Sequence, residues 1–151
     1  MHGNGHPDLI ALIDQLSRLQ GRLRGLFAGL DSAAGLSRME MTVLTAVAEA
    51  ERAPTVPQIG RSLGHPRQVV QRAANTLIEA GLIDTRDNPD HKRAMLLVAT
   101  DRGRAMKQAA NAQAAEIAQG VMPWLDAGEV REAARLLERI RKGLDAHRRD
   151  G

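Results

Sequence analysis

Apolar residues recur at three- and four-residue spacing along most of the chain, with one interruption in the middle. The first stripe comprises Leu9, Ile10, Leu12, Ile13, Leu16, Leu19, Leu23, Leu26, Phe27 and Leu30. It predicts a long amphipathic helix capped by Asp8 and ending near Asp31-Ser32. Gly21, Gly25 and Gly29 lie inside it, each costing on the order of 1 kcal/mol relative to alanine, so this helix relies on tertiary or intersubunit packing. Ser37-Arg38-Met39-Glu40 has the form of a capping box and opens a second helix carrying Met41, Val43, Leu44, Ala46, Val47 and Ala50. Thr55-Val56-Pro57-Gln58 repeats the signal before a short third helix through Ile59 and Leu63, which Gly64 stops as a left-handed cap. Pro66 suits the first turn of a fourth helix. Its inward positions are Val69, Val70, Ala73, Ala74, Leu77 and Ile78, and Gly81 ends it.

The period then changes. Leu82–Arg86 and Arg93–Val98 have the composition of two short strands, separated by the turn-forming cluster Asp87–Lys92. Thr100 can cap a fifth helix reaching about Gly120. Asp126 and Glu129 form a further capping box before a sixth helix with Val130, Ala133, Ala134, Leu136, Leu137, Ile140 and Leu144 on its apolar side. Helix, tight bend, helix and hairpin in that order describe a winged helix-turn-helix. The expected fold is mainly α with a small β-hairpin wing and with N- and C-terminal dimerisation helices. The expected organisation is a disordered N-terminus over 1–7, a dimerisation helix over 8–35 and the winged region over 36–100. Two C-terminal dimerisation helices follow over 101–147, and a frayed tail over 148–151.

Composition narrows the function. Aromatic residues make up 1% of the chain, from Phe27 and Trp124 alone, so the core is aliphatic, which favours packed helices over a sheet sandwich. No cysteine is present, which excludes disulfides, thiolate zinc sites, a cysteine nucleophile and thiol-based redox sensing. No run approaches the roughly 18 apolar residues of a membrane span. The polar start, Met1 to Pro7, has no apolar signal core, so a cytoplasmic protein is expected. His2, His6, His65, His91 and His147 are dispersed, without metal-ligand spacing. No phosphate loop or nucleophile elbow occurs, and the acids fall mostly at caps and surface positions. Neither a cofactor nor an enzymatic activity is expected.

The net charge of +3 is unevenly placed. Residues 61–107 hold nine bases and five acids, whereas the remainder holds twelve and thirteen, so the excess that would attract a polyanion lies mid-chain. With the apolar positions of the fourth helix turned inward, Arg67, Gln68, Gln71, Arg72 and Asn75 face out, and no acid joins them before Glu79. Arginine forks match guanine or phosphate, and Gln and Asn amides match adenine, in a groove wide enough for a helix. Lys92 and Arg93 sit at or beside the hairpin tip, where a wing reaches the minor groove. Double-stranded DNA is therefore the expected partner. The competing reading is a dimeric winged-helix module for protein contact. It would expose apolar groups on the fourth helix in place of this amide and guanidinium set.

Three stretches carry a family resemblance: Gln58–Gly64, then Val69–Arg72 with Leu77–Ile83, then Asn88–Ala94 with Leu96-Leu97 and Thr100–Ala105. They resemble the third helix, the recognition helix with its strand entry, and the wing with its following helix in MarR-type (multiple antibiotic resistance regulator) winged-helix regulators. The likeness extends from about Asp8 to His147. It implies a homodimer joined through the first, fifth and sixth helices, placed on an inverted-repeat operator. It also implies repression relieved by a small, often aromatic or anionic, effector. Two positions depart from the family pattern. His91 stands where family wings carry an acid that orients the arginine matching Arg93, and His65 stands where a Ser or Thr cap is common. The sensing cysteines of the oxidation-responsive branch are absent. An effector cavity is expected where the first, second and fifth helices meet. Arg18 and Arg22, with Arg24 nearby, are candidate anchors for a ligand carboxylate; intersubunit or surface ion pairs are the alternative use for them.

Overall fold

A computed structural model describes the backbone of residues 5–150. Among the described residues, seven α-helices and one hairpin follow in order: α1 (Gly5–Leu26), α2 (Ala28–Ala34), α3 (Arg38–Ala48), α4 (Val56–Leu63), α5 (Arg67–Glu79), β1 (Ile83–Arg86), β2 (Leu96–Ala99), α6 (Asp101–Val121) and α7 (Ala127–Asp150), with a 3-10 turn at Met122–Trp124. The expected disordered start and frayed tail include residues 1–4 and 151, which lie outside the described residues. Helix α1 begins at Gly5, so Asp8 occupies its first turn rather than its cap. There a carboxylate still meets the positive end of the helix.

The predicted long first helix is divided. Helix α1 stops at Leu26 and α2 restarts at Ala28, with Phe27 between them. The Leu30 N–H reaches back only three residues, to the Phe27 carbonyl, at 3.1 Å. Gly25 and Gly29 flank the break, so the poor helix propensity of glycine is concentrated where the helix gives way.

The chain separates into two compact units, 1–114 and 115–151. The core of the first unit runs from Val43 to Ala99 and is wholly aliphatic, with Val43, Leu44, Val70, Ala74, Leu77 and Ile83 at 0% exposure. Helix α3 enters it through a complete capping box: Ser37 accepts from the Glu40 N–H at 3.1 Å, and Glu40 accepts from the Ser37 N–H at 3.0 Å. The same reciprocal pair opens α4, where Thr55 accepts from the Gln58 N–H and Gln58 accepts from the Thr55 N–H at 2.9 Å. Thr55 is itself buried. Thr55→Ala is expected to cost about 1 kcal/mol, the usual worth of such a cap, and the urea unfolding midpoint checks it; an unchanged midpoint would mean the cap adds nothing.

Strands β1 and β2 pair antiparallel with Ile83 opposite Ala99 and Arg86 opposite Leu96. The second strand begins at Leu96, not at Arg93 as the apolar pattern predicted, so Arg93, Ala94 and Met95 belong to the wing loop. The Asn88 side chain accepts from the Asp90 N–H at 3.0 Å, and the His91 N–H bonds the Asn88 carbonyl at 3.3 Å. These local bonds hold 88–91 in a turn and delay re-entry into the ladder. Beyond the hairpin, the Leu97 N–H bonds the Pro54 carbonyl at 2.8 Å, which ties the approach to α4 to the wing.

In the second unit, the Asp126 side chain accepts from the Glu129 N–H at 2.9 Å and caps α7. Helix α7 carries the pairs Arg135–Glu132 and Lys142–Glu138. Lys142, 2.7 Å away, holds the Glu138 carboxyl below its ordinary pKa. The side away from the Lys142–Glu138 pair leaves Val130, Leu136, Ile140 and Leu144 exposed, and Trp124 is 86% exposed. No helix of the described residues is long and apolar enough to cross a membrane.

Candidate nucleic-acid interface

The approach of α4 to α5 depends on two glycines. Gly64 adopts φ 69° and ψ 28°, the left-handed conformation that glycine enters at least cost. A Cβ at Gly60 would stand 3.0 Å from the His65 carbonyl oxygen, so its absence lets the bend close over α4. Pro66 takes the cap position of α5 rather than its first turn, with ψ 140° and no side-chain bond to the helix. The preference of proline for extended ψ suits that boundary.

Val70, Ala73, Ala74 and Leu77 anchor α5 in the core. That orientation leaves Arg67, Gln68, Arg72 and Asn75 exposed and Gln71 half-buried. The Gln71 side chain donates from Nε2 to Asn75 Oδ1 at 2.9 Å. The pair therefore presents one ordered amide array, with Gln71 Oε1 and the Asn75 amine as its outer acceptor and donor. Val69, expected to point inward, is instead 40% exposed. At about 100° per residue it falls on the flank of the helix, and the four-residue core stripe is complete without it.

The wing stands beside this helix. A cleft of about 180 Å³ is lined by Arg67, Gln71 and Asn75 from α5 and by Arg93 and Met95 from the wing loop. A larger groove of about 940 Å³ is lined by Arg52, Arg61, Arg67, His91 and Arg93. Lys92 is exposed on the same loop. Five of the expected DNA-contact residues, Arg67, Gln68, Gln71, Arg72 and Asn75, thus share one helix, and Arg93 lines both hollows beside it. Arg52 and Arg61 did not emerge from the sequence as part of this surface. Arg61 opens the mid-chain basic segment 61–107, and Arg52 lies outside it. What brings Arg52 in is the pairing of Pro54 with β2, a contact between residues distant in sequence.

A cavity of about 1110 Å³ lies among α1, α2, α3 and α4. Its apolar wall includes Leu23, Phe27, Leu30 and Met41, and Arg24, Arg38 and His65 also line it. The expectation placed such a cavity against the fifth predicted helix, now α6; the short α4 takes that place. Arg18 and Arg22 do not line it. Both are exposed, and Arg18 Nε is 2.8 Å from Asp14 on the same helix. Among the described residues, no group of three histidines or acids could hold a metal ion.

A family model described as MarR family matches residues 34–94, which span α3 to the wing loop. An uncharacterized protein of Mycobacterium tuberculosis is 33% identical over 141 residues, covering 93% of this chain and 97% of its own. CouR from Rhodococcus jostii RHA1, solved bound to p-coumaroyl-CoA, has a similar fold, with a TM-score of 0.72 at 21% identity over 83% of this chain and 88% of that one. A mutant MarR from Escherichia coli, solved with operator DNA, has a TM-score of 0.72 at 19% identity over 91% of this chain and 99% of that one. The helix-turn-helix, the paired wing and these likenesses agree, and the chain belongs to the MarR family of transcription regulators.

Proposed function

We propose that the protein is a homodimeric repressor that reads an inverted-repeat operator in double-stranded DNA. In this reading a small ligand with an apolar or aromatic body and an anionic group releases it. The observation that carries the DNA reading is the outward face of α5, all amide and guanidinium from Arg67 to Asn75 apart from Val69 at its margin, with Arg93 of the wing beside it. Such groups match base edges and phosphates, and no acid in the first turn repels the polyanion. The similar fold solved on operator DNA supports it. The effector class is supported by the apolar cavity with Arg24 and Arg38 in its lining, and by the similar fold solved with p-coumaroyl-CoA. A ligand that binds the DNA-incompetent arrangement more tightly shifts the population toward it. The chain lacks cysteine, so a thiol oxidant is not the signal.

Footprinting upstream of the protein's own and neighbouring genes should reveal two half-sites about 10 bp apart, one helical turn on a two-fold dimer. On that operator, Gln71→Ala and Arg72→Ala should each lose about 1–3 kcal/mol at particular base pairs. Arg93→Ala should instead weaken binding evenly across sequences and reduce the salt slope by about one, as expected for loss of one phosphate contact. Fluorescence anisotropy at several salt concentrations measures both. Binding without sequence preference at physiological salt would overturn the reading.

A further inference from the structure

Val69 departs from the rest of the recognition surface. It is 40% exposed, while its neighbour Val70 is at 0%. Lone exposed valines are ordinary on protein surfaces; the position of this one is not neutral. Counting from the Pro66 cap, Val69 is the third residue of α5, in the turn that enters a major groove first. At about 100° per residue it lies on the flank shared with Arg72 and Thr76. Gln71 and Asn75 take the opposite flank, the one that lines the cleft beside the wing. The exposed residues Gln68 and Arg72 border it. A β-branched residue at this place gains nothing from helix propensity, and the core does not bury it.

The chemistry of the groove supplies a partner. Among the base-edge features in the major groove, the thymine 5-methyl group is the apolar one, and apolar side chains recognise it by contact. We propose that Val69 is a specificity residue that selects thymine at one position of each half-site by packing its methyls against the 5-methyl group. This rests on the DNA reading above and adds to it a base identity on the flank of α5 away from the wing. On this view the two flanks read differently: the Gln71–Asn75 amide array by hydrogen bonds, and Val69 by shape and desolvation. Burying one methyl from water corresponds to about a fourfold change in affinity per half-site.

The test replaces each thymine of the footprinted operator in turn by deoxyuridine, which keeps every hydrogen-bonding group and removes only the methyl. For the wild-type protein, one symmetry-related thymine pair should lose about fourfold per half-site, and other positions much less. Val69→Ala should bind the thymine operator more weakly by the same factor and be indifferent to deoxyuridine at that pair. Its melting temperature should not fall, because the side chain is largely outside the core and alanine favours the helix. Specific wild-type binding with no deoxyuridine-sensitive pair overturns the Val69 assignment and leaves the DNA reading intact. So does a Val69→Ala protein that keeps the full penalty. Absence of any sequence-specific binding overturns both.

Discussion

Gly103→Ala is expected to destabilise the protein by about 2–4 kcal/mol, the sum of an overpacked contact and a strained hydrogen bond. Gly103 is buried in the first turn of α6. A Cβ there would overlap the carbonyl oxygen of Leu82 and press on the Leu44 side chain. That carbonyl is not free to move. It accepts from the Thr100 N–H at 3.1 Å, while Thr100 Oγ1 donates to the Gly81 carbonyl at 2.7 Å and accepts from the Gly103 N–H at 3.0 Å. Arg102 adds a bond to the Ala80 carbonyl at 3.1 Å. The start of α6 is thus stitched to the chain leaving α5, and Leu82 and Ile83 beside it are core residues. Relieving the overlap means moving α6 or breaking this set of bonds. For a chain of this size the melting temperature should fall by roughly 5–15 °C. Gly120→Ala, later in the same helix with nothing within 4 Å of its added Cβ, should instead stabilise by about 1 kcal/mol through helix propensity. Thermal denaturation at one fixed protein concentration compares them, and equal melting of Gly103→Ala and wild type would refute the close packing.

That contrast shows what was legible in the sequence. Many signals that act within a few residues hold in the structure: the boxes at Ser37/Glu40 and Thr55/Gln58, the left-handed Gly64 and the side-chain caps of Thr100 and Asp126, although α1 starts before Asp8 and α5 starts after Pro66. Their partners are local, so spacing alone identifies them. Features that depend on another part of the chain were not legible. Gly103 looks like any small residue near a helix start until Leu82 is placed against it. Arg93 is a different case: the apolar run Met95, Leu96 and Leu97 outweighs a local signal in the pattern, the Asn88 turn, which keeps Arg93 in the loop. Arg24 and Arg38 line the large cavity where Arg18 and Arg22 were expected, because helical phase alone does not say which flank of α1 meets α3. The recognition face was the most readable part of the site. Its core stripe and its polar set lie on one helix, and only Val69, at the edge of that stripe, was assigned to the wrong side.

The double substitution Leu136→Asp with Ile140→Asp should convert the protein to a monomer and weaken operator binding by roughly 10²–10⁴-fold, the range lost when two linked binding sites become independent. Both side chains are exposed within a single chain, at 42% and 39%. One helical turn apart, they form an apolar stripe with Val130 and Leu144 on the side of α7 away from the Lys142–Glu138 pair. Helix α1 carries a comparable exposed row in Leu9, Ile10, Ile13, Leu19, Leu23 and Leu26. Apolar faces of this length are normally covered by a partner, and in the homodimer proposed above that partner is a second copy. Aspartates on the stripe would be buried without partners in a dimer, a cost of several kcal/mol, but would meet water in a monomer. Sedimentation at low micromolar concentration should give about twice 16.3 kDa for wild type and 16.3 kDa for the variant. The wild-type melting temperature should rise with protein concentration, as mass action requires, and the variant's should not. Glu138→Ala, on the ion-paired side of the same helix, should leave assembly unchanged. A variant that still sediments as a dimer with both aspartates in place would remove α7 from the interface.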